Sequence, residues 1–203
     1  MLRRLLAVAI MVGLGACAGL GGCAPARSAF AFLTPRHSSR PPAPRLADGL
    51  WAILGPGCAK PNAANIHAWP ACASPVWIRG DKALVILDGK VAAGNVLNVS
   101  YAASLRFSAG DPLIAQVGTQ KDGYVFLALT DLSRDGQGRL VGAVGGAVAC
   151  PGPAGRADLS AKLSRSGCAT ADPAMVRKAA AQTLRDHAAL SQAAWIAPGA
   201  PEL

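Results

Sequence analysis

From Gly49 to Val148 the chain is cut at short intervals by tight-turn signals: Gly80-Asp81, Asp88-Gly89, Gly110-Asp111-Pro112, Asp122-Gly123 and Asp135-Gly136. Each suits positive φ or an abrupt reversal. Between them lie strand-like apolar runs: Leu50–Leu54, Val76–Arg79, Ala83–Leu87, Val91–Val99, Leu105–Ser108, Leu113–Gly118, Tyr124–Asp131 and Arg139–Val148. Alternating helix and strand, as in a nucleotide-binding sheet, is not seen. The expectation is a mainly β fold, an antiparallel sandwich or small barrel of about eight short strands.

One helix is expected, near the C-terminus. Asp172 is placed to cap it, Pro173 suits the first helical position, and the residues that follow have high helix propensity. At 100° per residue, Val176, Ala180, Leu184, His187, Leu190, Ser191, Ala194 and Trp195 share a face, predicting a helix of about 20 residues packed on the sheet. Pro198-Gly199-Ala200-Pro201 then opens an irregular tail, 198–203.

The N-terminus reads as an export signal. Arg3 and Arg4 precede an apolar stretch of h-region length, Leu5 through Gly15, and small residues follow. Two positions carry a leucine, two small residues and a cysteine: Leu14-Gly15-Ala16-Cys17 and Leu20-Gly21-Gly22-Cys23. Both resemble the lipobox of bacterial lipoproteins, whose cysteine is lipidated after cleavage. Box quality leans to Cys17. Cysteine parity leans to Cys23, because cleavage there leaves four body cysteines, Cys58, Cys72, Cys150 and Cys168, for two disulfides in an oxidising compartment. We take 1–22 as signal peptide and Cys23 as the lipidated residue, with Cys17 as the alternative. In lipoproteins of this kind an aspartate after the cysteine favours retention at the inner membrane. Here Ala24 stands there (Ala18 for the other box), so the resemblance implies an outer-membrane, periplasm-facing protein held by palmitate-type acyl chains.

Residues 23–45 carry Pro25, Pro35, Pro41, Pro42 and Pro44 with Arg27, Arg36, Arg40 and Arg45 and no acid, which predicts an extended basic tether ahead of a 46–197 domain. Within it, Phe30–Leu33 is either a docking patch or a segment packed on its own domain. The overall +9 charge is concentrated before the domain. From Leu46 onward 14 basic residues face 11 acidic ones, a net +3, so the footprint of a nucleic-acid binder is missing. The membrane, through the lipid, is the expected partner, with an envelope protein or small apolar ligand beside it.

Four body cysteines admit three pairings. Proximity favours Cys58–Cys72, enclosing 13 residues, and Cys150–Cys168, enclosing 17. Cys58, His67 and Cys72 match no zinc spacing, so no metal is expected there. Asp131-Leu132-Ser133-Arg134-Asp135-Gly136 begins like an EF-hand loop but has Gly142 where the bidentate glutamate belongs, and reads better as a hairpin turn. The chain's single glutamate is Glu202, Asp81, Asp88, Asp111, Asp122 and Asp135 fall in expected turns, and neither a nucleophile elbow nor a phosphate loop occurs. No enzyme activity and no cofactor are expected.

Trp51, Trp69 and Trp77 read first as packing beside a disulfide and second as the lining of a ligand groove. Gly49-Leu50-Trp51 opening the first of about eight strands, with a late helix and Trp195-Ile196 as a last strand, resembles the lipocalin order of elements. The Trp and Cys placement also resembles small periplasmic β-barrel protease inhibitors. As a whole the sequence is similar to small uncharacterised proteobacterial envelope lipoproteins, which implies a noncatalytic role in binding or structural contact. The lipocalin resemblance implies instead a carrier of a small apolar ligand.

Overall fold

A computed structural model describes residues 26–28, 44–62, 65–86, 99–108, 110–119, 123–148, 163–164, 167–169, 173–185 and 190–199. The leader with Cys17 and Cys23, Phe30–Leu33 and Cys150 lie outside these residues, as does 91–98 of the expected Val91–Val99 strand.

Eleven strands and one α-helix are described: β1 Ala26–Ser28, β2 Gly49–Leu54, β3 Ala73–Arg79, β4 Lys82–Ile86, β5 Val99–Phe107, β6 Leu113–Thr119, β7 Gly123–Arg134, β8 Leu140–Ala147, β9 Leu163–Ser164, β10 Gly167–Ala169, α1 Pro173–Thr183 and β11 Ser191–Ala197. Strands β2 through β8 meander antiparallel, each paired with its sequence neighbour, and β11 inserts between β8 and β2. The result is a closed eight-stranded antiparallel barrel, the size at which side chains nearly fill the interior. Closure leaves none of the eight strands with an unpaired edge.

Inward and outward residues alternate along each strand, as the pleat requires. In β2, Trp51 and Ile53 face the barrel interior, whereas Leu50, Ala52 and Leu54 join outer clusters with Ile66, Trp69, Ala73, Trp77, Ala194 and Ile196. β2 is therefore buried on both faces, and its continuous apolar run follows from that. The outer cover is the 55–72 connection, pinned by the Cys58–Cys72 disulfide (Cα–Cα 5.8 Å) and by a 3-10 turn at Ile66–Ala68. On another wall, Val176 and Ala180 of α1 pack against Ile114, Phe126, Ala128 and Val148.

Of the two expected disulfides, Cys58–Cys72 is described; Cys150, the proposed partner of Cys168, lies outside the described residues. The expectation that the structure corrects is the C-terminal helix. The helix spans 11 residues rather than about 20, and Ser191–Ala197 is a strand. The alanine-rich stretch has helix propensity, but it also alternates, with Ala193 and Trp195 inward and Ala194 and Ile196 outward. Ladders to β2 and β8 on both sides outweigh a propensity of at most a few tenths of a kcal/mol per residue. The basic arm is also not wholly a free tether: Arg27 and Ser28 pair with Val125 and Tyr124 of β7, and Ala26 and Arg27 with Cys168 and Ala169 of β10.

Gly49 sits where β2 meets the end of β11. Its φ is +129°, and a Cβ there would lie 2.2 Å from the Ala197 carbonyl oxygen and 2.9 Å from the Trp195 indole nitrogen. A side chain at this position would displace the closing strand. Gly49→Ala is expected to cost about 2–3 kcal/mol in denaturant unfolding. Gly57→Ala, at φ +71° with open space around it, should cost only about 1 kcal/mol; equal costs would contradict the close approach. Replacing Cys58 and Cys72 together by alanine should cost about 3 kcal/mol by the same measurement. The outer Trp69 and Trp77 should become more solvent-exposed in the emission spectrum while the barrel stays folded.

Candidate functional site

The β3–β4, β5–β6 and β7–β8 hairpins all lie at one end of the barrel, and that end is closed by the strap Arg45–Asp48. Ala47 donates its backbone N–H to the Leu140 carbonyl (2.9 Å), and Leu140 donates to the Arg45 carbonyl (2.8 Å). Asp48 accepts the Gly80 N–H through Oδ1 at 2.7 Å, tying the strap to the β3–β4 turn. Trp51 and Trp195 stand opposite each other across the β2–β11 ladder, both inward. Trp51 Nε1 donates to the Ala47 carbonyl at 2.8 Å and Trp195 Nε1 to the Asp48 carbonyl at 3.0 Å. Their only polar atoms are thus spent on the strap, and the Trp51 ring can line an apolar interior at no hydrogen-bond cost.

Above this floor lies a cavity of about 130 Å³. It opens where Ala83, Ala115, Ala143 and Ala193 leave space among larger neighbours such as Ile53, Val76, Leu105, Phe107 and Leu129. Ala193 stands between Ile53 and Ala143 in register, so two small residues face one branched one across the seam. Every described lining residue is apolar. Such a space tends to stay dry, and a cavity of ~150 Å³ lined this way accommodates benzene or xenon. It can hold hydrocarbon; it offers no hydrogen bond to a headgroup, sugar or peptide.

Of the tryptophans read as groove lining, Trp51 lines the cavity. Trp69 and Trp77 do not, because Trp77 pairs with outward Leu50 and Trp69 belongs to the outer cover. Ala115, Ala143, Ala193 and their larger neighbours were not singled out from the sequence. The signal available was the alternation of Val76 with Ile78, Leu105 with Phe107 and Leu127 with Leu129, which marks the inner face of three strands.

The polar candidates are spread out. Cys58 and Cys72 are bonded to each other and His67 is exposed beside them, so the three offer no set of thiolate ligands. His37 and His187 lie outside the described residues. Asp81 approaches Arg106 at 3.8 Å on the surface. Among the described residues no group of three or more His, Cys, Asp or Glu side chains gathers. No family, curated protein or solved structure matches the chain.

The Asp131–Gly136 stretch forms the end of β7 and the turn into β8, not a cation loop. Asp135 Oδ1 accepts the backbone N–H groups of Gln137 and Arg139 at 2.9 Å each, and Oδ2 accepts Arg139 Nε at 2.7 Å. Partial desolvation acts to raise the Asp135 pKa, but the Arg139 side-chain hydrogen bond, the two backbone N–H groups and the Arg139 charge outweigh it, so the carboxyl sits below its ordinary 3.8. A depressed folded-state pKa stabilises the turn above the unfolded-state value and loses that contribution as pH falls through the folded one. The amide resonances of Gln137 and Arg139 should therefore titrate with a midpoint below 3.8. They should not titrate in Asp135→Asn, and a midpoint at or above the ordinary value would contradict this geometry.

Proposed function

We propose that the chain is a noncatalytic envelope lipoprotein whose barrel binds a slim, purely apolar group. The observation that supports binding is the wholly apolar cavity of about 130 Å³ inside a closed barrel. Its size matters: sites for drug-sized ligands occupy ~300–1,000 Å³, so this interior suits a short hydrocarbon or the end of an acyl chain, not a bulky cargo. The leader and its lipobox-like cysteines support the envelope location. Among the described residues no group of carboxylates and histidines gathers and the cavity lining is apolar, which supports binding rather than catalysis.

Filling the cavity separates binding from folding. Ala143→Leu puts a branched side chain into the space from β8. Benzene and n-hexane binding, followed by intrinsic tryptophan fluorescence, should weaken roughly tenfold or more in this variant. The unfolding midpoint should hold or rise, as cavity filling commonly does. Unchanged affinity in Ala143→Leu, or no binding of either probe to the unmodified protein, would overturn the carrier reading.

A further inference from the structure

We infer that the apolar group enters and leaves through the seam between β8 and β11, and that the strap Arg45–Asp48 is the gate across it. The gate presupposes the carrier reading of the interior. The seam itself is incomplete. The β8–β11 ladder runs only to Ala194 opposite Gly142, although β8 begins at Leu140 and β11 continues to Ala197. Asp135 donates its N–H to the Arg139 carbonyl on the β7 side, so by the alternation of an antiparallel ladder the N–H and carbonyl of Leu140 point to the β11 side. There they meet the strap instead of β11. Leu46 bridges Leu140 in parallel, Ala47 donates to the Leu140 carbonyl at 2.9 Å, and Leu140 donates to the Arg45 carbonyl at 2.8 Å. The strap thus fills the gap that β11 leaves beside β8.

The cavity lies directly behind that gap. Ala193 and Ala143, the register pair next to Ala194 and Gly142, line it together with Leu46, Leu140 and Trp51. Ala103 and Val125 stand farther from the strap end, beyond Leu105 on β5 and Leu127 on β7; they belong to the same inner cluster but not to the cavity lining. The empty space is therefore set toward the strap. Leu46 is also the one described lining residue that no barrel strand carries. Passage through the wall between two paired strands would break a ladder, whereas the strap can swing out with all eight ladders of the barrel intact. What holds it is the pair of bonds to Leu140, the Trp51 and Trp195 indole N–H groups, and the Gly80 N–H on the Asp48 carboxylate. Releasing them withdraws Leu46 and opens the cavity from the side, the way a short mobile element gates a site on a rigid scaffold.

The test follows the exchange of benzene and of n-hexane with the full-length chain by NMR. Asp48→Ala removes the acceptor of the Gly80 N–H, and Trp195→Phe removes the donor to the Asp48 carbonyl; neither side chain lines the cavity. In each variant the binding and release rates should both rise several-fold, with their ratio changing less than either, because a barrier and not the site has been altered. Val125→Phe, which bulks the inner wall toward the opposite end, should leave both rates as they are. In the unmodified chain the amide protons of Ala47 and Leu140 should exchange with solvent at a rate that dilute urea does not change, the sign of local opening without unfolding. Unchanged rates in both strap variants, slower exchange in Val125→Phe, or Ala47 and Leu140 amides that open only with the whole barrel would overturn the gate. Failure of the unmodified chain to bind either probe overturns the carrier reading and the gate with it, whereas binding at rates indifferent to the strap variants overturns the gate alone.

Discussion

Closure of β2 against β11 is the contact on which the rest of this molecule depends. It joins Gly49–Leu54 to Ser191–Ala197 across nearly the whole domain, and without it the meander from β2 to β8 would end in two exposed edges. The contact is set by steric detail at its lower end. Gly49 gives up a side chain so that the Ala197 backbone and the Trp195 indole can approach. Strand alternation points Trp195 inward and packs Ile196 on the outer cover, and the ladder to β2 shifts register only after Trp195, beside Gly49.

The seam also determines the character of the interior. Trp51 and Trp195 meet across it and spend their indole N–H groups on the Ala47 and Asp48 carbonyls, which fixes the strap and leaves hydrocarbon facing inward. Alanines on four of the surrounding strands then keep the core from filling completely. Well-packed interiors rarely leave voids larger than a water molecule, so a hydrocarbon-lined space of about 130 Å³ is a departure that invites an apolar occupant. The outer cover under Cys58–Cys72 reinforces the same strand from its other face, so β2 is supported from both sides.

Most strands were legible because their information is local. Asp-Gly and Gly-Asp turns bracket runs whose alternation matches the pleat; β3, β6 and β7 follow the expected runs with extensions of one to three residues, and β8 falls one residue short of its run at each end. Barrel versus sandwich was not legible, since it turns on one long-range pairing. Ser191–Ala197 misled for a related reason: alanine spacing satisfies a helical face as well as a strand, and only the open seam between β8 and β2 decides between them. The tryptophans illustrate the same limit at the site. Trp51 and Trp77 both flank the seam region in sequence, yet their strand parity sends one into the cavity and the other outside. The lining alanines carried no compositional signal in a chain rich in alanine throughout.

A barrel with a hydrocarbon interior and a small void is a binding device of narrow scope, selective by shape and by its lack of polar partners. The most direct measurement is alanine-methyl NMR of the folded domain during titration with benzene. The methyls of Ala83, Ala115, Ala143 and Ala193 should shift together and saturate, while the outer Ala52, Ala180 and Ala194 stay unmoved. Shifts confined to the outer alanines, or no saturable shift at the four inner ones, would contradict an interior that receives an apolar group.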